Sequence, residues 1–493
     1  MGSHVRSRID RLGGVAAVVG LTILPMIALP GHVEPGGDDA VGSPRPNIVL
    51  VLTDDQRWDT LWAMPTVRSE LIERGITFTN GFVVNPICCS SRASILTGSY
   101  SHSTDVYRDR PPHGGFSTFT KRGEDRSTVA TWLQAAGYRT ALVGKYLNGY
   151  GPQQAAYVPL GWDRWAAFVS RHGNGDYLDY ALSIDGDLRR YGSEEADYST
   201  DVLADLADSF IRTTSPKEQL FLYFAPIAPH RPATPAPRNE ASFSDLGAYR
   251  PPSFNEADVS DKPRYVRALA PLDASQQTEI DEFRIDQYRT LLAADDAVGT
   301  ILTALQDTGR LSNTLFVFTS DNGLLWGEHR WVHKLVPYEE SIRVPMVVRY
   351  DVMISAPRVD DHLVTTIDLA PTFAAFSGAE APGTEGRSLI PLLASSEATW
   401  RSRFLIEHLR SSTIRAPTYC ALRTPRYAYV AYGTGEEELY DLDVDAYEIQ
   451  NVAADPAYAS VLAAKRARLR ALCSPAPPGY SFTWGPRPER VEI

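Results

Sequence analysis

From Asn47 onward the chain repeats one pattern: a short apolar run, a polar cluster, then a helical stretch. The run over 47–52 is apolar on both alternations, as a strand buried on two faces requires, and Thr53-Asp54-Asp55-Gln56-Arg57 follows at once. Residues 138–143 lead into Gly144-Lys145, residues 219–224 lead towards Pro229-His230-Arg231-Pro232, and residues 314–318 run into Ser320-Asp321-Asn322-Gly323. The clearest helical pattern places Tyr288, Leu291, Leu292, Val298, Leu302 and Leu305 on one face and stops at Gly309. Strands alternating with helices predict an α/β fold, a large, mostly parallel sheet flanked by helices, and in such sheets ligands sit beyond the carboxyl ends of the strands. All four polar clusters stand at those ends, which predicts one cleft holding Asp54, Asp55, Lys145, His230, Asp321 and Asn322.

The stretch from Pro86 to Gly98 puts two cysteines, two serines and an arginine ahead of an apolar turn, and predicts a helix whose first turn carries the polar set. Unpartnered N–H groups and the macrodipole favour anions at such a terminus, and Arg92 adds a cation one turn from Cys88. A reactive Cys88 is the expectation. The competing reading is a small buried hydrophobe beside ordinary serine caps.

Residues 344–350 predict a further strand, Ile367-Asp368-Leu369-Ala370-Pro371-Thr372 opens a helix, and 382–386 reads as a loop. From about Arg401 the character shifts. Short runs over 418–422, 427–432 and 438–442, then a basic helix over 461–472, predict a small antiparallel sheet in a C-terminal subdomain (401–493) behind a catalytic domain (47–400). Ahead of both, Arg6, Arg8 and Arg11 precede a mostly apolar run over 13–29 and a Pro/Gly-rich stretch over 30–46. This segment, 1–46, reads as an export signal or retained anchor plus linker, so the chain is expected to be secreted or held at the cell surface, touching membrane only through that anchor.

A chain of 493 residues can bury a large core, and its formal net charge of -12 argues against nucleic acid as a partner, since phosphates need a basic face. Four cysteines in an exported chain suggest disulfide use. Cys420, in a strand-like run, and Cys473, ending a helix-like one, both lie far down the chain and are the expected pair; Cys88 and Cys89 are then left over, and a bond between adjacent cysteines is strained.

Asp54-Asp55 and Asp321-Asn322 offer hard oxygen ligands of the kind Ca²⁺ or Mg²⁺ prefers, and nothing in the set suggests zinc. Aspartate pairs also serve as caps and turns. A lone lysine is commonly a solvated surface charge, and a histidine between prolines can be a loop constituent. Position at strand ends is what sets Lys145 and His230 apart.

In combination these motifs resemble the type I, formylglycine-dependent sulfatases over most of the chain after residue 46. The resemblance rests on Asp54-Asp55-Gln56, on Cys88-x-x-x-Arg92 followed by Ala93-Ser94-Ile95-Leu96-Thr97-Gly98, and on Gly144-Lys145-Tyr146-Leu147-Asn148. Ala228-Pro229-His230, Ser320 to Gly323 with Gly327-Glu328-His329 and Lys334, and Tyr338 to Pro345 add to it. Lys145 to Asn148 and Tyr157 to Trp162 are most similar to the N-acetylglucosamine-6-sulfatase branch, and Glu438 to Leu442 with Glu448 and Asn451 to the family's C-terminal subdomain.

The resemblance implies an alkaline-phosphatase-like fold and hydrolysis of sulfate esters of a sulfated carbohydrate. It implies conversion of Cys88 to formylglycine (3-oxoalanine) by the formylglycine-generating enzyme, a maturation partner, and one Ca²⁺ held by Asp54, Asp55, Asp321, Asn322 and the modified Cys88. Arg92 would then steady the nucleophile, Lys145 and Lys334 would bind sulfate oxygens, and His230 would contact the sulfate or protonate the leaving oxygen. Leu147 stands where many members carry a histidine, with Asn148 beside it as the substitute contact to substrate. Ser90 stands where the family usually has Pro or Ala, and Cys89 is one residue too close to Arg92 for the nucleophile's place. His329 and His333 read as supports for Lys334. The chemistry fits: a hydrated aldehyde attacks sulfur with one hydroxyl and expels sulfate by deprotonating the other, while cations neutralise the ester oxygens.

Two other classes stay open. One is a phosphodiester or phosphonate monoester hydrolase of the same superfamily. The other is a catalytically silent glycan-binding homologue, to which Ser90 and Leu147 point. Loops over 171–195 and 238–273 match no motif and are expected to set specificity.

Overall fold

The run expected to be doubly buried forms the strand Asn47–Thr53, buried throughout, with Ile48, Leu50 and Leu52 facing one core and Val49 and Val51 the other. It pairs in parallel with Thr314–Ser320 on one side and Leu220–Ala225 on the other, and Arg139–Gly144 and Arg164–Phe168 extend the parallel set. This computed structural model describes residues 45–170, 175–411 and 415–483; the export-signal reading of the N-terminal segment lies outside them. Among the described residues no helix is long and apolar enough to cross a membrane.

The sheet has ten strands and turns mixed at both edges. Met346–Arg349 runs antiparallel to Thr314–Ser320 and to Ile76–Phe78, with Arg358–Asp360 outermost. At the other edge Ala181–Ile184 and Asp187–Arg190 form a hairpin, its turn made by Asp185 and Gly186 with φ of 51° and 98°. Positive φ at both central residues matches the strand twist, and Asp-Gly supplies it at little steric cost.

One face of the sheet is covered by Ser199–Thr213 and the 34-residue helix Ala274–Asp307, the other by Cys88–Thr97, Val129–Ala135 and Leu369–Ser377. The long helix starts well before the apolar face visible over 288–305. Asp273 caps it by accepting from the Gln276 N–H, and Ile280, Phe283 and Gln287 carry the buried stripe through a polar sequence. Gly309, with φ of 70°, follows its end.

The C-terminal runs form a four-stranded antiparallel sheet, Phe404–His408, Tyr419–Arg423, Tyr427–Tyr432 and Glu437–Asp441, backed by Ala459–Leu472. Cys420 and Cys473 are disulfide-bonded, tying that helix to its sheet, and Cys88 and Cys89 are free.

His102, just after the Cys88 helix, joins three distant segments: its Nδ1 lies 2.9 Å from Glu407 and its Nε2 3.1 Å from Glu385. Burial opposes its charge, but the two carboxylates outweigh it and push the imidazole up to about 10. A group whose pKa rises on folding stabilises fully below its unfolded value and loses that contribution as pH climbs through the folded one. Unfolding free energy is therefore expected to fall between pH 6.5 and about 10. His102→Gln should flatten that slope and cost roughly 3 kcal/mol at pH 6, as breaking a buried pair does; denaturant titrations across pH check both.

Candidate active site

Strand register builds the site. Thr53 stands opposite Ser320 and Gly144 opposite Ala225, so Asp54, Asp321 and Lys145 leave the sheet at one edge. Main-chain bonds hold them there: the Asp54 N–H donates to the Ala228 carbonyl at 3.0 Å, and the Asp321 N–H to that of Thr53 at 3.1 Å. Asp55 takes a φ of 65°, a left-handed conformation that aspartate tolerates better than most residues, and its N–H donates to Asp321 Oδ1 at 3.2 Å.

The helix Cys88–Thr97 brings its first turn onto this edge. Cys88 Sγ lies 3.5 Å from Asp54 Oδ1 and 2.6 Å from Lys334 Nζ. Arg92 is wholly buried: Nε donates to Asp321 Oδ2 at 2.7 Å and Nη1 to the Lys145 carbonyl at 2.8 Å, while Nη2 lies 3.5 Å from Asp54. Lys145 donates to Asp54, and Lys334 to Asp55. Asn322 donates to Asp55 Oδ1 at 2.6 Å, and its own oxygen lies 3.4 Å from Lys334 Nζ. His230 Nδ1–H donates to the Arg231 carbonyl at 2.6 Å, which turns Nε2 toward Asp55, 3.7 Å away. The cleft thus gathers Asp54, Asp55, Cys88, Arg92, Lys145, His230, Asp321, Asn322 and Lys334. Asn148 is also buried but contributes to an adjoining cleft, with Asp109.

Three buried carboxylates face three buried cations. Burial alone would raise Asp54, but Lys145, His230, Arg92 and Lys334 outweigh it and hold the carboxyl far below its usual range. Asp55 is likewise lowered against burial, chiefly by Lys334 and His230. Asp321 is raised by burial and by the neighbouring Asp54 charge. Burial works against a reactive thiol. Cys88 is 2 % exposed, and burial, reinforced by Asp54 and Asp321, pushes the thiol well above its ordinary value despite both lysines. An unmodified Cys88 is a neutral thiol with little nucleophilic power.

The donor set suits a hard divalent cation. Asp54, Asp55, Cys88 and His230 present ligand atoms all within 4.8 Å of one another, Asp321 and Asn322 add further oxygens, and the Lys334 ammonium stands as a cation among Asp55, Asn322 and Cys88.

The loop carrying Lys334 is braced from behind. Arg57 donates to Glu328 at 2.7 Å and to the Leu324 carbonyl at 3.1 Å, with its guanidinium 4.2 Å from the Trp326 ring centre. His329 stacks on Tyr338 at 4.1 Å and lies 2.7 Å from Glu256, so it positions the loop. Burial, then the Lys334 charge, pushes His333 down to about 4 and keeps it neutral. Sequence reasoning missed Asp109, whose Oδ1 accepts from the Cys89 N–H at 3.4 Å; it lies on an irregular loop that matches no motif.

Comparison with known proteins agrees with this geometry. Residues 46–379 match the sulfatase family and residues 327–474 the family described as N-sulphoglucosamine sulphohydrolase, C-terminal. The chain belongs to the sulfatase family, and it is a sulfuric ester hydrolase. Human N-acetylglucosamine-6-sulfatase is 36 % identical over 381 residues, 75 % of this chain and 68 % of that protein. The N-acetylglucosamine-6-O-sulfatase of Bacteroides thetaiotaomicron is 28 % identical, covering 84 % of each chain. A solved protein in complex with its substrate D-glucosamine-2-N,6-O-disulfate superposes with a TM-score of 0.75 at 25 % identity, over 87 % of this chain and 98 % of that one. The phosphonate monoester hydrolase of Agrobacterium radiobacter shares the fold, with a TM-score of 0.69 at 22 % identity over 87 % and 96 %.

Proposed function

We propose that this chain is an exported hydrolase that removes the 6-O-sulfate from N-acetylglucosamine-type sugars, with residue 88 matured from cysteine to formylglycine and one Ca²⁺ in the carboxylate cluster. The observation that carries the reading is the meeting of Cys88, Asp54, Asp55, Lys145, Lys334 and His230 in one cleft. Identity to the human and bacterial N-acetylglucosamine sulfatases supports the choice of sugar.

Asp54, Asp55, Asp321 and Asn322, with residue 88, would hold the calcium ion, which would supply Lewis-acid polarisation of a sulfate oxygen. Formylglycine, once made by the formylglycine-generating enzyme, supplies a hydrated aldehyde with one hydroxyl to attack and a second to release sulfate. The rest is work for ordinary side chains. Lys145 and Lys334 bind sulfate oxygens and offset the charge that repels a nucleophile. His230 keeps its Nδ1–H on the Arg231 carbonyl and, when protonated, gives the Nε2 proton to the departing sugar oxygen. Arg92 fixes Asp321 and the Lys145 carbonyl, and so aligns helix and strands. The three carboxylates cancel the three nearest cations, so an added dication leaves the cleft net positive toward an anionic ester. The division into domains over 47–400 and 401–493 is part of the proposal, and the ten-stranded and four-stranded sheets lying in separate stretches of the chain support it.

Matured enzyme assayed side by side on N-acetylglucosamine 6-sulfate, its 3- and 4-sulfated isomers and an aryl phosphonate tests the proposal. The 6-sulfate is expected to be hydrolysed fastest. Faster turnover of the phosphonate would assign the chain to phosphonate hydrolysis instead.

A further inference from the structure

Beside the reaction centre lies a cleft of about 270 Å³ lined by Asp109, Arg110, Pro111, Gly115, Phe116, Ser117, Asn148 and Gly149. That is near the lower end of small-molecule pockets, roughly 300–1,000 Å³, and suits one sugar ring better than an extended chain. It adjoins the nucleophile through the backbone: Asp109 Oδ1 accepts from the N–H of Cys89, and Asn148 lies three residues beyond Lys145. The Asp109 loop is pinned, with the Tyr107 N–H donating to the His113 carbonyl at 2.8 Å and the Gly115 N–H to that of Arg108 at 2.9 Å. The Asp109 carboxylate stands on the wall of the cleft, with Oδ1 accepting from the Cys89 N–H at 3.4 Å.

A half-buried carboxylate on the wall of such a cleft offers strong acceptors to hydroxyl donors. Burial pushes the Asp109 carboxyl up against the pull of the Lys334, Lys145 and His230 charges, which places it within reach of the reaction centre's field.

We propose that this cleft seats the pyranose ring of the substrate, with Asp109 accepting hydrogen bonds from ring hydroxyls and the sulfated arm reaching past Asn148 to residue 88. Such a site favours a sugar sulfate over a flat aryl sulfate, because a charged acceptor facing the ligand disfavours one that brings no hydroxyl. The inference rests on the carbohydrate reading above and names the surface that enforces it.

The test is the ratio of kcat/KM for N-acetylglucosamine 6-sulfate to kcat/KM for 4-nitrophenyl sulfate, measured on matured enzyme. Asp109→Ala is expected to lower that ratio at least tenfold, mostly through KM for the sugar. Ser117→Trp, which fills the cleft from an exposed position, should lower it in the same direction without touching the carboxylate. Sugar turnover with an unchanged ratio in both variants overturns the cleft assignment alone. A wild-type enzyme that hydrolyses the aryl sulfate and leaves the sugar sulfate untouched overturns the carbohydrate reading, and the cleft with it.

Discussion

Cys88→Ala lowers kcat/KM for the sulfated sugar by at least roughly ten-thousandfold, the scale at which removal of a covalent nucleophile is felt. Lys145, Lys334 and His230 remain in place in that variant, so the loss isolates the covalent step from electrostatic binding. The fold should survive. Removing one buried sulfur leaves a small cavity worth about 1 kcal/mol, and Asp54 keeps its bond from Lys145. Cys89→Ala is the control: the same helix turn, an equally buried thiol and a residue one position too close to Arg92, for which activity is expected to stay within a few-fold. Steady-state kinetics on the two variants, with melting curves for each, decide between a nucleophile and a packed thiol.

Asp55→Ala strikes the other half of the site. Its carboxylate receives Lys334 and Asn322 and faces His230, so truncation strands a buried ammonium and removes a metal ligand in one step. The expected result is a loss of about 3 to 5 kcal/mol of stability, the usual consequence of removing one partner of a buried pair. Bound calcium should fall below one ion for every several chains, and activity at least roughly a thousandfold, since charge stabilisation at the ester is usually the largest catalytic term. Chelation should silence the wild-type enzyme and added Ca²⁺ restore it, whereas the variant stays silent in excess Ca²⁺. Atomic emission on dialysed protein beside the rates checks both.

Much of this site could be read from the sequence because its residues follow strands. The runs ending at Thr53, Gly144 and Ser320 are apolar on both faces, and a polar residue just after a doubly buried strand has few places to go except the carboxyl edge. Parallel register then aligns those ends without further information. The sheet edges were less legible. The strands at 76–78, 358–360 and 187–190 are short, and Asp187–Arg190 is exposed throughout, so no burial pattern marked them.

The desolvation of the Cys88 thiol could not be read from its neighbours in sequence. A cysteine and an arginine at a helix start suggest an activated thiolate, yet the same helix is buried along its whole length, and desolvation beside two aspartates wins. Tertiary burial has no local signature in Cys88-Cys89-Ser90-Ser91. Asp109 went unseen for a related reason, because its partner is the backbone of residue 89 and its loop repeats no period. The early half of the helix Ala274–Asp307 was hidden by Arg284 and Gln287, polar residues that are buried on its inner face.

Specific activity measured against the fraction of chains carrying aldehyde at residue 88 tests the central claim most directly, with mass spectrometry of the peptide spanning that residue and preparations made with graded amounts of the formylglycine-generating enzyme. Hydrolysis of the sulfated sugar should rise in proportion to the aldehyde and vanish when every chain keeps its thiol. Undiminished hydrolysis by protein whose residue 88 is wholly unmodified cysteine would contradict it.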